Sequence, residues 1–191
     1  MRIIAGSARG TKLETLPGEN TRPTSERAKE AVFSMLQFEL RERRVLDLFA
    51  GSGQMGLEAI SRGAAHAVFV DASRDAVQVI RKNVERVRFV EECEVVCADY
   101  ADYLTRLRRS DQTFDLVILD PPYQKGLLQP ALHALLQGGC LSERALLVCE
   151  TGSEDVFDGD GELAHAFTVC KQARYGVAHV TLLELASIPK E

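Results

Sequence analysis

The tetrapeptide Asp120-Pro121-Pro122-Tyr123 carries the most specific chemistry in this sequence. It follows an apolar run, Phe114 to Leu119, and so stands where a buried strand gives way to a loop. Two successive prolines fix the backbone and remove two amide donors, leaving carbonyl oxygens to accept hydrogen bonds. A carboxylate precedes them and an aromatic ring follows. This set suits an exocyclic amine on a purine or pyrimidine, a poor nucleophile because its lone pair is delocalised into the ring. Acceptors at Asp120 and the Pro121 carbonyl can hold the two amine hydrogens and favour a pyramidal nitrogen. Tyr123 can stack on the base and fix its plane. An activated methyl group placed in line is then displaced directly, so positioning supplies much of the catalysis. No strong general base is required, because the nitrogen becomes acidic once alkylated.

A second constellation lies upstream, in Asp47-Leu48-Phe49-Ala50-Gly51-Ser52-Gly53-Gln54-Met55-Gly56. Its last six residues satisfy the dinucleotide fingerprint G-x-G-x-x-G, a weak signal taken alone. Glycines at a strand end let the backbone approach a ligand closely. Asp47 changes the reading. A carboxylate just before the glycines repels a pyrophosphate and attracts an ammonium group, such as that of the methionine moiety of S-adenosylmethionine. Asp71 closes the next strand and can accept ribose hydroxyls, as acids do at this place in nucleoside-binding α/β folds. Asp99 closes the third and fits an adenine amino group, with Tyr100 lining the adenine face.

The elements that must position these residues alternate regularly from Arg44 onward. Apolar strands at 45–49, 67–70, 94–97, 114–119 and 145–149 are separated by helical patterns at 54–62, 73–87, 101–109 and 127–137. Short apolar strands separated by helices imply parallel crossovers and a sheet covered on both faces. The ending differs: 166–171 and 177–185 are β-rich, and Arg174-Tyr175-Gly176 is too short a link for a helical crossover, so this pair must be antiparallel. The expected fold is therefore α/β and Rossmann-like, with seven strands, mostly parallel, and a carboxyl-terminal antiparallel hairpin. Residues 1–43 read as an extension and 44–191 as the main domain. The extension comprises a short hairpin or arm over the first 13 residues and a turn at Pro17-Gly18-Glu19-Asn20. A helix capped by Ser25 follows and runs to about Phe38, with Ala28, Val32, Met35 and Leu36 as its apolar stripe. The segment at 152–164, rich in Gly, Asp and Glu, reads as a variable linker.

Composition narrows the function classes. The 191 residues are 46% hydrophobic and 27% charged, which suits one globular core. No apolar run is long enough to cross a membrane, and the N-terminus lacks a secretory signal, so a cytoplasmic location is expected. Five scattered cysteines suit reduced core thiols rather than a disulfide framework or a zinc site, and no metal is expected. The net charge of −5 argues against indiscriminate coating of nucleic acid. Residues 1–44 nevertheless carry nine Lys/Arg against six Asp/Glu. That local excess could dock a phosphate backbone or could simply be a solvated helix; charge alone decides nothing here.

The glycine loop, the acidic strand ends and Asp-Pro-Pro-Tyr resemble class I methyltransferases that modify nucleobase amino groups. Further segments extend the likeness: Arg2-Ile3-Ile4-Ala5-Gly6, Arg22-Pro23-Thr24, Phe49-Ala50-Gly51-Ser52-Gly53 and Gly56-Leu57-Glu58-Ala59-Ile60-Ser61-Arg62-Gly63. Together they resemble the RsmD family, bacterial enzymes that methylate guanine N2 of small-subunit ribosomal RNA. The resemblance implies that Asp47, Phe49, Ala50, Gly51, Ser52, Gly53 and Gly56 bind the methionine part of S-adenosylmethionine. Asp71, with Ala72 beside it, would take the ribose, and Asp99 with Tyr100 the adenine. Asp120, Pro121, Pro122 and Tyr123 would hold the guanine. Arg2, Arg9, Arg22 and Arg27 would contact 16S ribosomal RNA or an assembling 30S subunit. Apart from that likeness, a monomer is expected, though no residue pattern encodes the oligomeric state. Gln54-Met55 departs from the smaller residues expected after the glycines.

Three other readings compete. A DNA adenine or cytosine amino-methyltransferase, or one acting on another RNA, shares the four-residue motif, but DNA enzymes usually add a target-reading domain for which no segment is left over. An NAD-dependent oxidoreductase has no use for Asp120-Pro121-Pro122-Tyr123 or the terminal hairpin. A non-catalytic RNA-binding factor would not need the Asp120 carboxylate.

Overall fold

Strands that lie between two layers of helices must be apolar on both sides, and the alternation of their side chains sorts those residues into two cores. The computed structural model describes residues 1–16 and 23–186. Its elements are α1 (Pro23–Met35), β1 (Arg44–Asp47), α2 (Gln54–Ser61), β2 (His66–Asp71), α3 (Arg74–Val87), β3 (Cys93–Cys97), α4 (Tyr100–Leu107), β4 (Phe114–Leu119), α5 (Leu128–Gly138), β5 (Leu141–Thr151), α6 (Gly161–Ala166), β6 (Phe167–Tyr175) and β7 (Ala178–Leu185). They build one seven-stranded sheet in the order β3-β2-β1-β4-β5-β7-β6. β1 to β5 are parallel, β7 is antiparallel to both β5 and β6, and β7 is therefore the reversed strand.

On one face, Val45, Phe69, Leu116 and Ile118 pack with Val32 and Phe33 of α1, Leu57 of α2 and Ile80 of α3. On the other, Leu46, Val68, Val117 and Leu147 pack with Leu104 of α4, Leu132 of α5 and Leu163 of α6. Adjacent residues of one strand thus serve opposite cores. The strand order also runs outward from β1 in both directions, so β1 and β4 flank the point where the winding reverses. Ligands in open α/β sheets bind beyond the carboxyl ends of the strands at that point.

The first 43 residues share the main core. Ile3, Leu13, Ala28, Val32, Phe33, Leu36 and Leu40 are buried in the same cluster as α2 and α3. The arm folds back on itself through an Arg2–Lys12 bridge and is held to α2 by a buried carboxylate. Glu58 accepts from the Ile4 and Ala5 amides at 2.8 and 3.0 Å, and Arg62 and Lys29 lie 2.8 and 3.6 Å from it. Gly6 has φ +84°, and a Cβ there would fall 1.7 Å from the Ser61 carbonyl oxygen, so only glycine permits this approach.

Several boundaries differ from the sequence reading. α1 starts at Pro23, where a proline suits the first helical turn, so Ser25 lies inside the helix rather than capping it; the helix ends at Met35, not near Phe38. The turn at 17–20 and Arg22 lie outside the described residues. β1 ends at Asp47: residues two apart in a parallel strand bond the same neighbour, but Leu48 N donates to Ile118 O of β4 and Ala50 N to Val70 O of β2, so the regular alternation is broken. β5 and β6 are longer than expected. Within 152–164 the chain is tied down rather than loose. Val156 and Phe157 are buried, Gln129 donates to the Val156 carbonyl, and Asp160 caps α6. The expectation of core thiols holds for Cys140 and Cys149, but Cys97 and Cys170 are exposed, since they lie on β3 and β6, the two edge strands.

Candidate active site

Asp47 is the best-buried charged group near the strand ends, only 2% exposed. It closes β1, and the glycine turn that follows brings the positive end of α2 back over it, where Gly56 N donates to its Oδ2 at 3.0 Å. Burial pushes its carboxyl up to about 7; the Gly56 amide opposes that shift and the nearby charge of Asp71 adds to it. A buried carboxylate in this state is an incomplete ion pair, and a cation entering the cavity would complete it.

The turn is shaped by close approach. Gly51 and Gly53 have φ of +54° and +77°. A Cβ on Gly56 would sit 2.4 Å from the ring of Phe69, which is fully buried on β2. Gly56→Ala must therefore displace that ring and the amide that holds Asp47. The expected result is a loss of about 1–3 kcal/mol in thermal or urea unfolding, with weakened binding of S-adenosylhomocysteine measured by calorimetry.

Asp71 accepts from Gly51 N at 2.9 Å and from Ser73 N at 2.8 Å, so it pins the glycine turn to the end of β2. Each oxygen keeps a further lone pair for a ligand hydroxyl. Asp99 caps α4 through the Ala101 amide at 2.8 Å. The half-buried Tyr100 ring packs on Phe49 with centroids 5.3 Å apart, and burial, then the charge of Asp99, raises the pKa of its hydroxyl. Asp120 and Pro122 are exposed and Pro121 is buried. Tyr123 starts a short 3-10 turn; its hydroxyl donates to Glu150 Oε1 at 2.5 Å, and burial together with that bond drives its pKa far upward.

One cavity of about 690 Å³ gathers these groups. Asp47, Phe49, Ala50, Gly51, Ser52, Asp71, Ala72, Asp99 and Tyr100 line it together with Asp120, Pro121, Pro122 and Tyr123. Gly53 and Gly56 stand behind the wall and shape it. Gln54 and Met55, the departures in the loop, line it as well. Of the basic residues expected to touch RNA, Arg2, Arg9 and Arg27 are exposed and stand on the arm and α1, while Arg22 lies outside the described residues. Part of that segment's positive charge is spent internally: Lys29 is buried against Glu58, and Arg43 pairs with Glu39.

Some residues that build the site went unread in the sequence. Met1 and Leu16 line the cavity, so the N-terminal segment forms part of its wall. Asn83, fully buried on α3, donates to the carbonyls of Ser52 and Glu14 at 2.9 and 3.0 Å and accepts from Glu14 N at 2.7 Å. It ties that segment to the glycine turn. Its signal was available: Asn83 interrupts the apolar stripe formed by Ala76, Ile80, Val84 and Val87. Glu150 also follows a visible pattern, since acids stand within two residues of the ends of the five parallel strands, at Asp47, Asp71, Asp99, Asp120 and Glu150.

Fold and site together define a Rossmann-like class I methyltransferase. A family model described as "Conserved hypothetical protein 95" matches residues 1–184. The Haemophilus influenzae protein named ribosomal RNA small subunit methyltransferase D is 36% identical over 79% of this chain and 78% of its own. Its Escherichia coli namesake is 34% identical over 81% and 76%. The chain belongs to the ribosomal RNA small subunit methyltransferase D family. Among solved structures, an Escherichia coli protein named as a candidate methyltransferase superposes with TM-score 0.83 at 29% identity, covering 98% of this chain and 99% of that one. A more distant candidate methyltransferase, complexed with S-adenosylhomocysteine, shares the fold at TM-score 0.64 and 19% identity, over 80% of this chain and 49% of that one.

Proposed function

We propose that this protein transfers a methyl group from S-adenosylmethionine to the exocyclic N2 amine of a guanine in 16S ribosomal RNA, acting in the cytoplasm on the RNA or on an assembling 30S subunit. The observation that carries the reading is the meeting of a buried, cation-seeking Asp47 with Asp120-Pro121-Pro122-Tyr123 in one cavity at the winding reversal. Asp47 would hold the ammonium group of the cofactor, Asp71 its ribose, and Asp99 with Tyr100 its adenine. When bound, S-adenosylmethionine supplies an electrophilic methyl group on a sulfonium sulfur. Asp120 and the Pro121 carbonyl accept the two hydrogens of the amine and favour a pyramidal nitrogen whose lone pair is withdrawn from conjugation with the ring. Tyr123, held by Glu150, offers a face on which the base stacks. The alkylated nitrogen then releases one hydrogen as a proton to Asp120 or to water. Arg2, Arg9 and Arg27 would meet the phosphate backbone, and the names of the relatives point to ribosomal RNA as the target.

The test offers labelled S-adenosylmethionine with undermethylated 30S subunits, naked 16S RNA or duplex DNA. Methylation of one guanine in 16S RNA is expected, located by mass mapping. Labelling confined to DNA, or to adenine, would overturn the proposal.

A further inference from the structure

Beside the large cavity lies a smaller one of about 220 Å³, and Pro121, Pro122, Tyr123 and Leu127 line both. Pro121, Pro122 and Tyr123 thus stand where the two chambers meet, while Asp120 lines the larger one. The second chamber falls below the roughly 300–1,000 Å³ of pockets that take drug-sized ligands and suits a single flat ring system. Its far wall includes Glu150, Thr151, Gly152 and Ser153, where β5 runs into the following loop.

Glu150 is half-buried at this end of the strand, with one oxygen committed to the Tyr123 hydroxyl. Among the described residues no cation pairs with it, and its Oε2 has no hydrogen-bond partner. Gly152 lies close enough to the Tyr123 ring that a Cβ there would come to 3.3 Å from Cδ2, so a glycine leaves the ring its room. A base stacked on that ring therefore has its edge facing a carboxylate. Guanine presents two adjacent donors there, N1–H and the N2 amine. Adenine and 2-aminopurine present a bare N1 acceptor instead, which a carboxylate repels.

Resting on the function proposed above, we infer that the target base lies on Tyr123 where the two chambers meet, its C2 amine turned to Asp120 in the large cavity and its N1 edge to the small chamber, and that Glu150 selects guanine by accepting its N1–H through Oε2. Asp120 and the Pro121 carbonyl engage the N2 amine, and Glu150 reads the neighbouring position. The carboxylate has two duties: one oxygen orients the Tyr123 ring and the other reads the base. Replacement by glutamine separates them. The amide oxygen of Glu150→Gln still accepts from the Tyr123 hydroxyl, while its NH₂ now points where Oε2 stood, opposing N1–H of guanine and matching the bare N1 of 2-aminopurine.

The experiment uses small-subunit particles reconstituted with 16S RNA carrying either guanine or 2-aminopurine at the mapped target, since both bases bear the C2 amine. The wild-type protein should favour guanine in kcat/KM by about 10–100-fold, the loss expected when a hydrogen bond to a charged group is removed. Glu150→Gln should lose that preference or invert it, with its unfolding temperature and S-adenosylhomocysteine affinity unchanged. Tyr123→Phe should keep the wild-type preference whatever its rate, because the carboxylate remains. A Glu150→Gln protein that still favours guanine as strongly as the wild type overturns the inference and leaves the methyltransferase reading intact. Absence of wild-type transfer to guanine particles would instead overturn that reading, and the inference with it.

Discussion

Asp120→Ala is expected to lower methyl transfer to 30S subunits by about 10²–10³-fold, the loss typical of one preorganised polar contact to charge that develops in the transition state. Two features of the site set the size of this effect. An amine conjugated with a heterocycle must surrender its planarity to attack, and in the proposed reaction Asp120 is one of two acceptors that would hold its hydrogens as it does so. The second acceptor, the Pro121 carbonyl, belongs to backbone that the alanine variant keeps, so a residual rate survives. Asp120 is exposed, and thermal unfolding of the variant, measured alongside, separates any change in stability from the change in rate. S-adenosylhomocysteine affinity should stay within about threefold, because the groups assigned to the cofactor, Asp47 and Asp71, lie on β1 and β2. Single-turnover assays with labelled donor, paired with calorimetric binding, separate rate from affinity. Unchanged turnover would remove Asp120 from the chemistry and favour a non-catalytic role for the fold.

Asp47→Asn is expected to act in opposite directions on stability and on binding. An unfolded chain releases the Asp47 proton near 3.8, whereas the folded protein holds it until about 7. The folded state therefore binds more protons between those values, and stability falls as pH rises through that window. A shift of this size corresponds to roughly 4 kcal/mol as an upper bound. Asparagine keeps an oxygen for the Gly56 amide and cannot ionise. The variant should match the wild type in thermal stability near pH 4 and gain on it as pH rises. Above pH 7 it should unfold several degrees higher, on the scale of about 2–4 °C per kcal/mol for a chain of this length.

Cofactor binding should move the other way, weakening by about 10²-fold or more, since the buried partner of the ammonium group is lost. Wild-type binding of S-adenosylhomocysteine at pH 6 should also release about one proton from Asp47, visible as a dependence of calorimetric heat on the buffer's ionisation enthalpy. A variant that is no more stable at pH 8, or that binds the cofactor as the wild type does, would sink the assignment. Such an exchange of stability for function is common where an active site holds an uncompensated charge.

Most of the sheet was legible because its signals are local. Runs of four to six mostly apolar residues starting at Val45, Ala67, Phe114 and Ala145 are too short for buried helices and so read as buried strands, and the short Arg174–Gly176 link forbids a helical crossover. The acids and glycines were legible for the same reason: they stand at or next to strand ends, where the cavity lies. Strand ends were harder to place. Leu48 and Phe49 are as apolar as the strand before them, yet regular pairing stops at Asp47, since Leu48 bonds to β4 and Ala50, two residues on, switches to β2. The 152–164 segment hid a helix for a different reason. α6 spans only six residues, and its support comes from distant groups, among them His133, which lies 2.7 Å from Asp160.

By itself the sequence determined the alternation of elements, the reversed last strand, the glycine turn, and the chemistry available to Asp120-Pro121-Pro122-Tyr123. These depend on residue type and spacing within a few positions of one another. Tertiary structure alone decided three further matters. It set β4 beside β1, which brings residues 73 positions apart in the chain, Asp47 and Asp120, to one cavity. It folded the N-terminal segment into the main core through Glu58 and Asn83, making that segment part of the cavity wall. It also placed Glu150 against Tyr123, 27 residues away. Burial and contact between distant segments arise only when the chain closes on itself, and no local pattern encodes which carboxylate will meet which ring.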